Sequence, residues 1–207
     1  METIMHIKPI IKYWINGNKQ SERWPHNLHM MSNPSFIEYY ESGKVYRESW
    51  YLNNTFHRVD GPADIWYHES GVIKIENWYT NGLYHRVDGP AIIRYYESRI
   101  VEQEYWYIDG IRHREDGPAD TWYYESGDIE QQCWYINNQL HRVDGPAIIW
   151  YSKLNKEKAE REYYHLNGKH LMNAEKEEYK KWLIDNLNKP YNTWTDEEKI
   201  LWKLRWI

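Results

Sequence analysis

The chain has 207 residues, with 31 acidic against 26 basic side chains and a net charge of −5. A length of this order suits one domain or one continuous array, and the acidic balance argues against a polybasic surface for nucleic acid or anionic lipid. A single cysteine, Cys133, excludes a disulfide framework. The lack of any long apolar run argues against stable membrane insertion or a secretory leader, so an intracellular, cytoplasmic protein is expected.

The first 48 residues read as a divergent repeat or cap. Tyr13-Trp14-Ile15-Asn16-Gly17 looks like a hairpin signal, and Tyr39-Tyr40-Glu41-Ser42-Gly43 resumes the pattern after a surplus of eight residues (Trp14 to Trp50 is 36). From residue 49 to 172 the chain becomes regular. His-Arg-x-Asp-Gly-Pro-Ala recurs four times at a spacing of 28 residues: His57, Arg58 and Asp60; His85, Arg86 and Asp88; His113, Arg114 and Asp116; His141, Arg142 and Asp144. Trp50, Trp78, Trp106 and Trp134 keep the same step, and a truncated copy opens at Tyr164. A fixed period in this range marks stacked supersecondary units, none of which buries a hydrophobic face alone. A weaker beat of 56 residues sets Ala63-Asp64-Ile65-Trp66 beside Ala119-Asp120-Thr121-Trp122, and Ala91-Ile92-Ile93-Arg94 beside Ala147-Ile148-Ile149-Trp150.

Within a repeat, Gly-Pro, an Asn-rich turn and Ser-Gly leave no helical window, so strands are expected. Asn16-Gly17, Asn53-Asn54, Asn81-Gly82, Asp109-Gly110, Asn137-Asn138 and Asn167-Gly168 tolerate positive φ at both positions, the requirement of a two-residue type I′ hairpin. That register opposes Tyr79 to Tyr84 and Trp78 to His85, which places each motif histidine against a tryptophan ring. A second turn, Glu-Ser-Gly, is expected to oppose Tyr67 to Ile73 and Arg94 to Glu102, with Arg99 standing where glycine is favoured. About ten to twelve strands follow, advancing roughly 9.6 Å per repeat. The fold class is mainly β: an elongated single-layer antiparallel β-meander of hairpin repeats, with two C-terminal helices capping it.

Those helices occupy residues 173–207. Tyr179, Leu183 and Leu187 fall at spacing four, and Thr195-Asp196-Glu197-Glu198 forms a capping box. Ile200, Leu201, Leu204 and Ile207 make one apolar stripe, and Trp202 and Trp206 an adjacent one. The stripes either cover the last sheet edge or, through Trp202 and Trp206, dock another chain.

His, Arg and Asp within four residues invite a metal or general-base reading, as in a hydrolase using a His/Asp pair. The period opposes it: ligands of one zinc sit about 2.1 Å from the metal, whereas equivalent residues of successive repeats are roughly 10 Å apart. Structural roles are therefore expected for the motif, with Asp accepting hydrogen bonds at the bend and Arg bridging repeats. No catalytic residue, metal or cofactor is assigned, and the protein is expected not to be an enzyme. The aromatic column Trp66, Trp122 and Trp150, interrupted by Arg94, is the candidate binding face.

The unit Trp78-Tyr79-x-Asn81-Gly82-x-x-His85-Arg86-x-Asp88-Gly89-Pro90-Ala91 resembles MORN-type repeats, in the His-Arg-x-Asp-Gly-Pro-Ala variant found in large DNA viruses of amoebae and some bacteria. The resemblance covers Tyr13 to Leu171; this unit is longer than the usual MORN unit by the His-Arg-x-Asp segment. It implies a single-layer β-meander with a scaffold role, mediating protein–protein interaction or self-association as a homodimer. It also implies a viral origin, and hence the alternative of a structural component of a viral particle or its assembly site.

Overall fold

The computed structural model describes residues 8–24, 33–154, 158–172, 174–186 and 193–206. They belong to two compact units, one running to Gly110 and one starting at Ile111. The first unit holds β1 (Ile10–Tyr13), β2 (Lys19–Arg23), β3 (Phe36–Tyr39), β4 (Val45–Ser49), β5 (Tyr51–Leu52), β6 (Thr55–Phe56) and β7 (Asp64–Tyr67). It continues with β8 (Ile73–Asn77), β9 (Tyr79–Thr80), β10 (Leu83–Tyr84), β11 (Ile92–Tyr95), β12 (Val101–Tyr105) and β13 (Tyr107–Ile108). The second holds β14 (Ile111–Arg112), β15 (Asp120–Tyr123), β16 (Ile129–Cys133), β17 (Tyr135–Ile136), β18 (Gln139–Leu140), β19 (Ile148–Tyr151), β20 (Ala159–Leu166) and β21 (Lys169–Leu171). Two helices, α1 (Ala174–Asn186) and α2 (Asp196–Trp206), follow.

The fold is an antiparallel meander built from hairpins, and each repeat carries two of them in separate ladders. The longer strands run β1-β2-β3-β4-β7-β8-β11-β12 in the first unit and β15-β16-β19-β20-β21 in the second. The short pairs β5/β6, β9/β10 and β17/β18 form their own two-stranded ladders outside that order, so β4 pairs directly with β7. Proline explains the separation. Pro62, Pro90, Pro118 and Pro146 offer no N–H to a ladder, and sheet pairing resumes one residue later, where Ala63 N–H donates to Asn77 and Ala91 N–H to Tyr105.

The short hairpins have the expected register, with Tyr79 opposite Tyr84 and Tyr51 opposite Phe56. Five of the six Asn/Asp turns have positive φ at both central residues, among them Asn53 and Asn54 at 50° and 64°. The sixth does not. Gly17 alone is left-handed there, and Trp14 N–H bonds Asn18 across a three-residue loop. Asn16 is diverted by its side chain, whose Oδ1 accepts from Asn18 N–H while Nδ2 donates to Glu41. That loop matches Tyr40–Lys44, where Tyr40 N–H also bonds four residues on, so the first copy is of the longer hairpin. Trp14 therefore corresponds to Tyr40, 26 residues on, and the step of 36 to Trp50 spans two different kinds of turn.

The Glu-Ser-Gly turns are three-residue loops with Gly43, Gly71 and Gly127 left-handed. Tyr67 opposes Ile73 as expected, but Arg94 opposes Gln103, with Tyr95 opposite Val101. A β-bulge between Arg94 and Tyr95 shifts the register, adding the residue that a left-handed loop position commonly brings with it. Arg99 takes φ of 70° in the glycine slot. An L-residue there costs about 1–2 kcal/mol. Arg99→Gly is therefore expected to raise stability by about 1 kcal/mol, seen as a higher urea midpoint at an unchanged slope.

Candidate functional site

The repeated motif is the densest concentration of chemistry-bearing side chains, and each of its residues has a mechanical task. The arginine lies flat on the tryptophan that opens its own repeat. Its Cζ is 4.1 Å from the ring centroid for Arg58 on Trp50, and 3.9 Å for both Arg86 on Trp78 and Arg142 on Trp134. Glycine forms the opposite jaw. A Cβ on Gly89 would come within 2.7 Å of the Arg86 Cζ, and one on Gly61 within 2.9 Å of the Arg58 Cζ. The guanidinium is then pinned in plane: Arg86 Nε donates to Asp88 at 3.0 Å and Nη1 to the Pro90 carbonyl at 3.4 Å, with equivalent pairs at Arg58, Arg114 and Arg142. The hydrogen bond from the arginine holds the carboxyls of Asp60, Asp88 and Asp116 below their ordinary range. The motif alanines, Ala63, Ala91, Ala119 and Ala147, are fully buried, which leaves no room for a larger side chain.

The expected stacking of histidine on tryptophan is therefore corrected, since the cation takes the ring face. A guanidinium over an indole gains cation–π attraction that a neutral imidazole lacks. The histidine turns to the next repeat instead. Nδ1 of His57 accepts from Asn81 N–H at 3.1 Å and Nδ1 of His141 from Asn167 N–H at 3.0 Å; Nδ1 of His85 lies 2.8 Å from Asp109 Oδ1 and 3.2 Å from its N–H, and Nδ1 of His113 lies 3.0 Å from Asn137 Oδ1 and 3.4 Å from its N–H. Each acceptor satisfies the first N–H of a type I′ turn. The histidine side chain thus bridges repeats, and the arginine does so through its backbone, as Arg58 N–H bonds Tyr79 and Arg86 N–H bonds Tyr107.

The candidate aromatic column falls into one cross-strand row in each unit. In the first, Trp66 and Arg94 both oppose Ile75, from β7 and β11. In the second, Trp122 and Trp150 both oppose Gln131. Paired positions share a sheet face, so each pair lines one surface. Arg94 and Trp150 are exposed, and Trp66 and Trp122 half-buried. Ile65 and Ile93 are buried and point to the other face. Trp66 is restrained, with the Arg47 guanidinium 4.3 Å from its centroid and its Nε1 donating to Asp64 at 2.6 Å.

The helical-end candidates lie elsewhere than a docking surface requires. Trp202 is buried, and Trp206 packs edge-on to Tyr179 at 4.9 Å. Together with Tyr164, Leu166, Leu171, Tyr179 and Trp194 they close the last hairpin. The capping box forms as expected, with Thr195 N–H donating to Glu198 at 2.7 Å. Ile200 and Leu201 point outward; the Leu204 side chain, Leu187 and Ile207 lie outside the described residues. Trp202 enters the core because α2 presents its aromatic stripe to a surface that is itself aromatic.

Three carboxylates, Glu22, Asp64 and Asp120, are buried and escaped the sequence reading; the last two are equivalent positions of the repeat. Asp64 accepts four hydrogen bonds, from Arg47 Nε at 2.6 Å, Ser49 at 2.9 Å, Trp66 Nε1 at 2.6 Å and Asn77 Nδ2 at 3.0 Å. Its counterpart 56 residues on, Asp120, is fully buried, and neither oxygen accepts an aligned hydrogen bond. Arg112 Nη1 stands 3.1 Å from Oδ2, and Cys133 occupies the place opposite that Asn77 holds for Asp64. Burial outweighs the arginine and lifts the Asp120 carboxyl to about 7. The doubled period was the available signal, because it alternates Asp with Ile after each motif alanine. Burial also pushes the Cys133 thiol up to about 12, which leaves it protonated and unreactive near neutrality. Among the described residues, no group of three His, Cys, Asp or Glu side chains is placed to hold a metal.

In comparisons with known proteins, no family model matches the chain, and no curated protein does either.

Two measurements check these roles. Gly89→Ala must force the pinned Arg86 off Trp78, an overpacking cost of about 1–3 kcal/mol. Gly145→Ala, where the clearance is 3.2 Å, should lose less in the same urea titration. For Asp120, the folded carboxyl at about 7 stands above about 3.9 in the unfolded chain. Its contribution to stability is full below about pH 4 and is lost as pH rises through about 7. Thermal melts of Asp120→Asn should accordingly lack a fall in midpoint that the parent shows across this window.

Proposed function

We propose that the protein is a non-enzymatic repeat scaffold that binds another protein through the outward row of its sheet. The observation that supports this most directly is the engagement of the whole His-Arg-x-Asp set in holding the array together. Each arginine is clamped on tryptophan or tied to its aspartate, and each histidine supports a turn. With Nδ1 of His57 and of His141 accepting a backbone N–H, the neutral ring carries its proton on Nε2 and has no free lone pair for a general base or a metal ligand.

What the repeats offer outward is a surface of aromatic and arginine side chains: Trp66 with Arg94, and Trp122 with Trp150. Tryptophan and arginine are enriched among the residues that carry most of the binding energy of protein interfaces. No described helix is long and apolar enough to cross a membrane.

The test is partner retention from a native lysate by the immobilised full chain, with light scattering of the free protein. Arg94→Ala and Trp150→Ala, made separately, should each weaken retention roughly tenfold or more and leave the unfolding free energy within about 1 kcal/mol of the parent. A chain that retains nothing and scatters as a strict monomer would overturn the scaffold reading.

A further inference from the structure

The four motifs differ at one position, the residue between Arg and Asp. It is Val59, Val87, Glu115 and Val143. Val59 and Val87 are 75% and 76% exposed, whereas Val143 is 5% exposed. The fourth motif is covered by the chain's own helices. The Tyr179 hydroxyl of α1 donates to the Val143 carbonyl, and Trp202 of α2 meets the His141 ring edge-on at 6.1 Å. Asp144 is shielded as well, its side chain 28% exposed against 83% for Asp88.

The cap also supplies a cation. Tyr164 stands where the next repeat's tryptophan would be, and no arginine motif follows it. Lys176 and Lys180 of α1 reach its ring instead, at 5.5 Å and 5.1 Å. The covering element is thus a helix with a tyrosine set on a valine and with basic side chains, of which Lys180 also lies 3.6 Å from Glu162.

Resting on the scaffold reading, we propose that the Val59 and Val87 motifs bind a helix from a partner protein as the Val143 motif binds α1. The partner helix carries an aromatic hydroxyl that donates to the Val59 or Val87 carbonyl, and lysine or arginine side chains facing Asp60 and Asp88. Those carboxylates are exposed and provide the charge complement. Motifs one repeat apart are separated by roughly 9.6 Å. A helix rises about 10.5 Å over seven residues, so anchors at i and i+7 reach both valines. Glu115 breaks the pattern: a charge in place of valine at the third motif disfavours an apolar anchor.

The probe is a lactam-stapled helical peptide with the sequence of residues 174–186, titrated into the full chain with labelled valine methyls. Saturable shifts are expected at Val59 and Val87 and none at Val143. Val59→Glu with Val87→Glu should weaken binding at least tenfold, and unchanged circular dichroism will show that these exposed substitutions leave the fold intact. Replacing tyrosine by phenylalanine in the peptide should weaken it roughly fivefold, the loss of one hydrogen bond. Glu115→Val should create an additional site, which a simple loss of folding could not mimic. Absence of saturable shifts at Val59 and Val87, or binding indifferent to the double substitution, overturns the proposal. A chain that dimerises, and becomes monomeric with the double substitution, assigns the site to a second copy and overturns the partner helix. Partner retention that depends on Arg94 or Trp150 while the valines stay silent leaves the scaffold reading standing and removes only this site.

Discussion

The array depends on a guanidinium held between an indole and a glycine. In every repeat the motif arginine must lie close over the glycine, and a carboxylate two residues on fixes its plane. Where the ring contact is defined, its other face rests on tryptophan at about 4 Å. A half-buried cation needs compensation on all sides. Here the π-face, the aspartate and the proline carbonyl supply it, and the glycine supplies only the absence of a side chain. The rest of the motif follows: proline stops the strand, alanine restarts it in a space too small for more, and histidine turns away to hold the next turn.

Stacking of repeats then follows from groups that a single repeat cannot satisfy. The first N–H of the type I′ turns at Asn81, Asp109, Asn137 and Asn167 lies at an exposed hairpin tip, against Nδ1 of the preceding motif histidine. Alongside runs an aromatic ladder, Tyr51, Phe56, Tyr79, Tyr84 and Tyr107, with centroid distances from 4.3 to 5.4 Å. Offset rings at such distances gain stacking energy beyond their buried area. All five rings are half-buried, an environment that suits tyrosine and tryptophan better than phenylalanine. Their polar tips reach water or a carboxylate, as Tyr67 reaches Glu48 and Tyr95 reaches Glu76.

The last repeat shows what happens when the pattern ends. Without a following motif the final hairpin would leave Tyr164, Leu166 and Leu171 open, and α1 and α2 bury them. Lysines of α1 stand in for the missing arginine, and the Tyr179 hydroxyl donates to the Val143 carbonyl.

Period, strand content, five of the six tight turns and the two helices were legible in the amino-acid sequence, because each rests on local chemistry. Asn-Gly and Asn-Asn specify positive φ, Gly-Pro forbids ladder pairing, and Thr-x-x-Glu caps a helix by itself. Contacts chosen among competitors were decided only by the tertiary structure. Whether arginine or histidine covers a tryptophan depends on which can also reach an aspartate and a proline carbonyl. Asn16 and Arg94 depart from local expectation because a side-chain hydrogen bond and a β-bulge intervene. Asp64 and Asp120 share a sequence context, yet one meets four donors and the other a cysteine. Local rules set which conformations each segment can adopt; burial and neighbouring strands decide which polar group finds a partner, and no window of sequence contains that information.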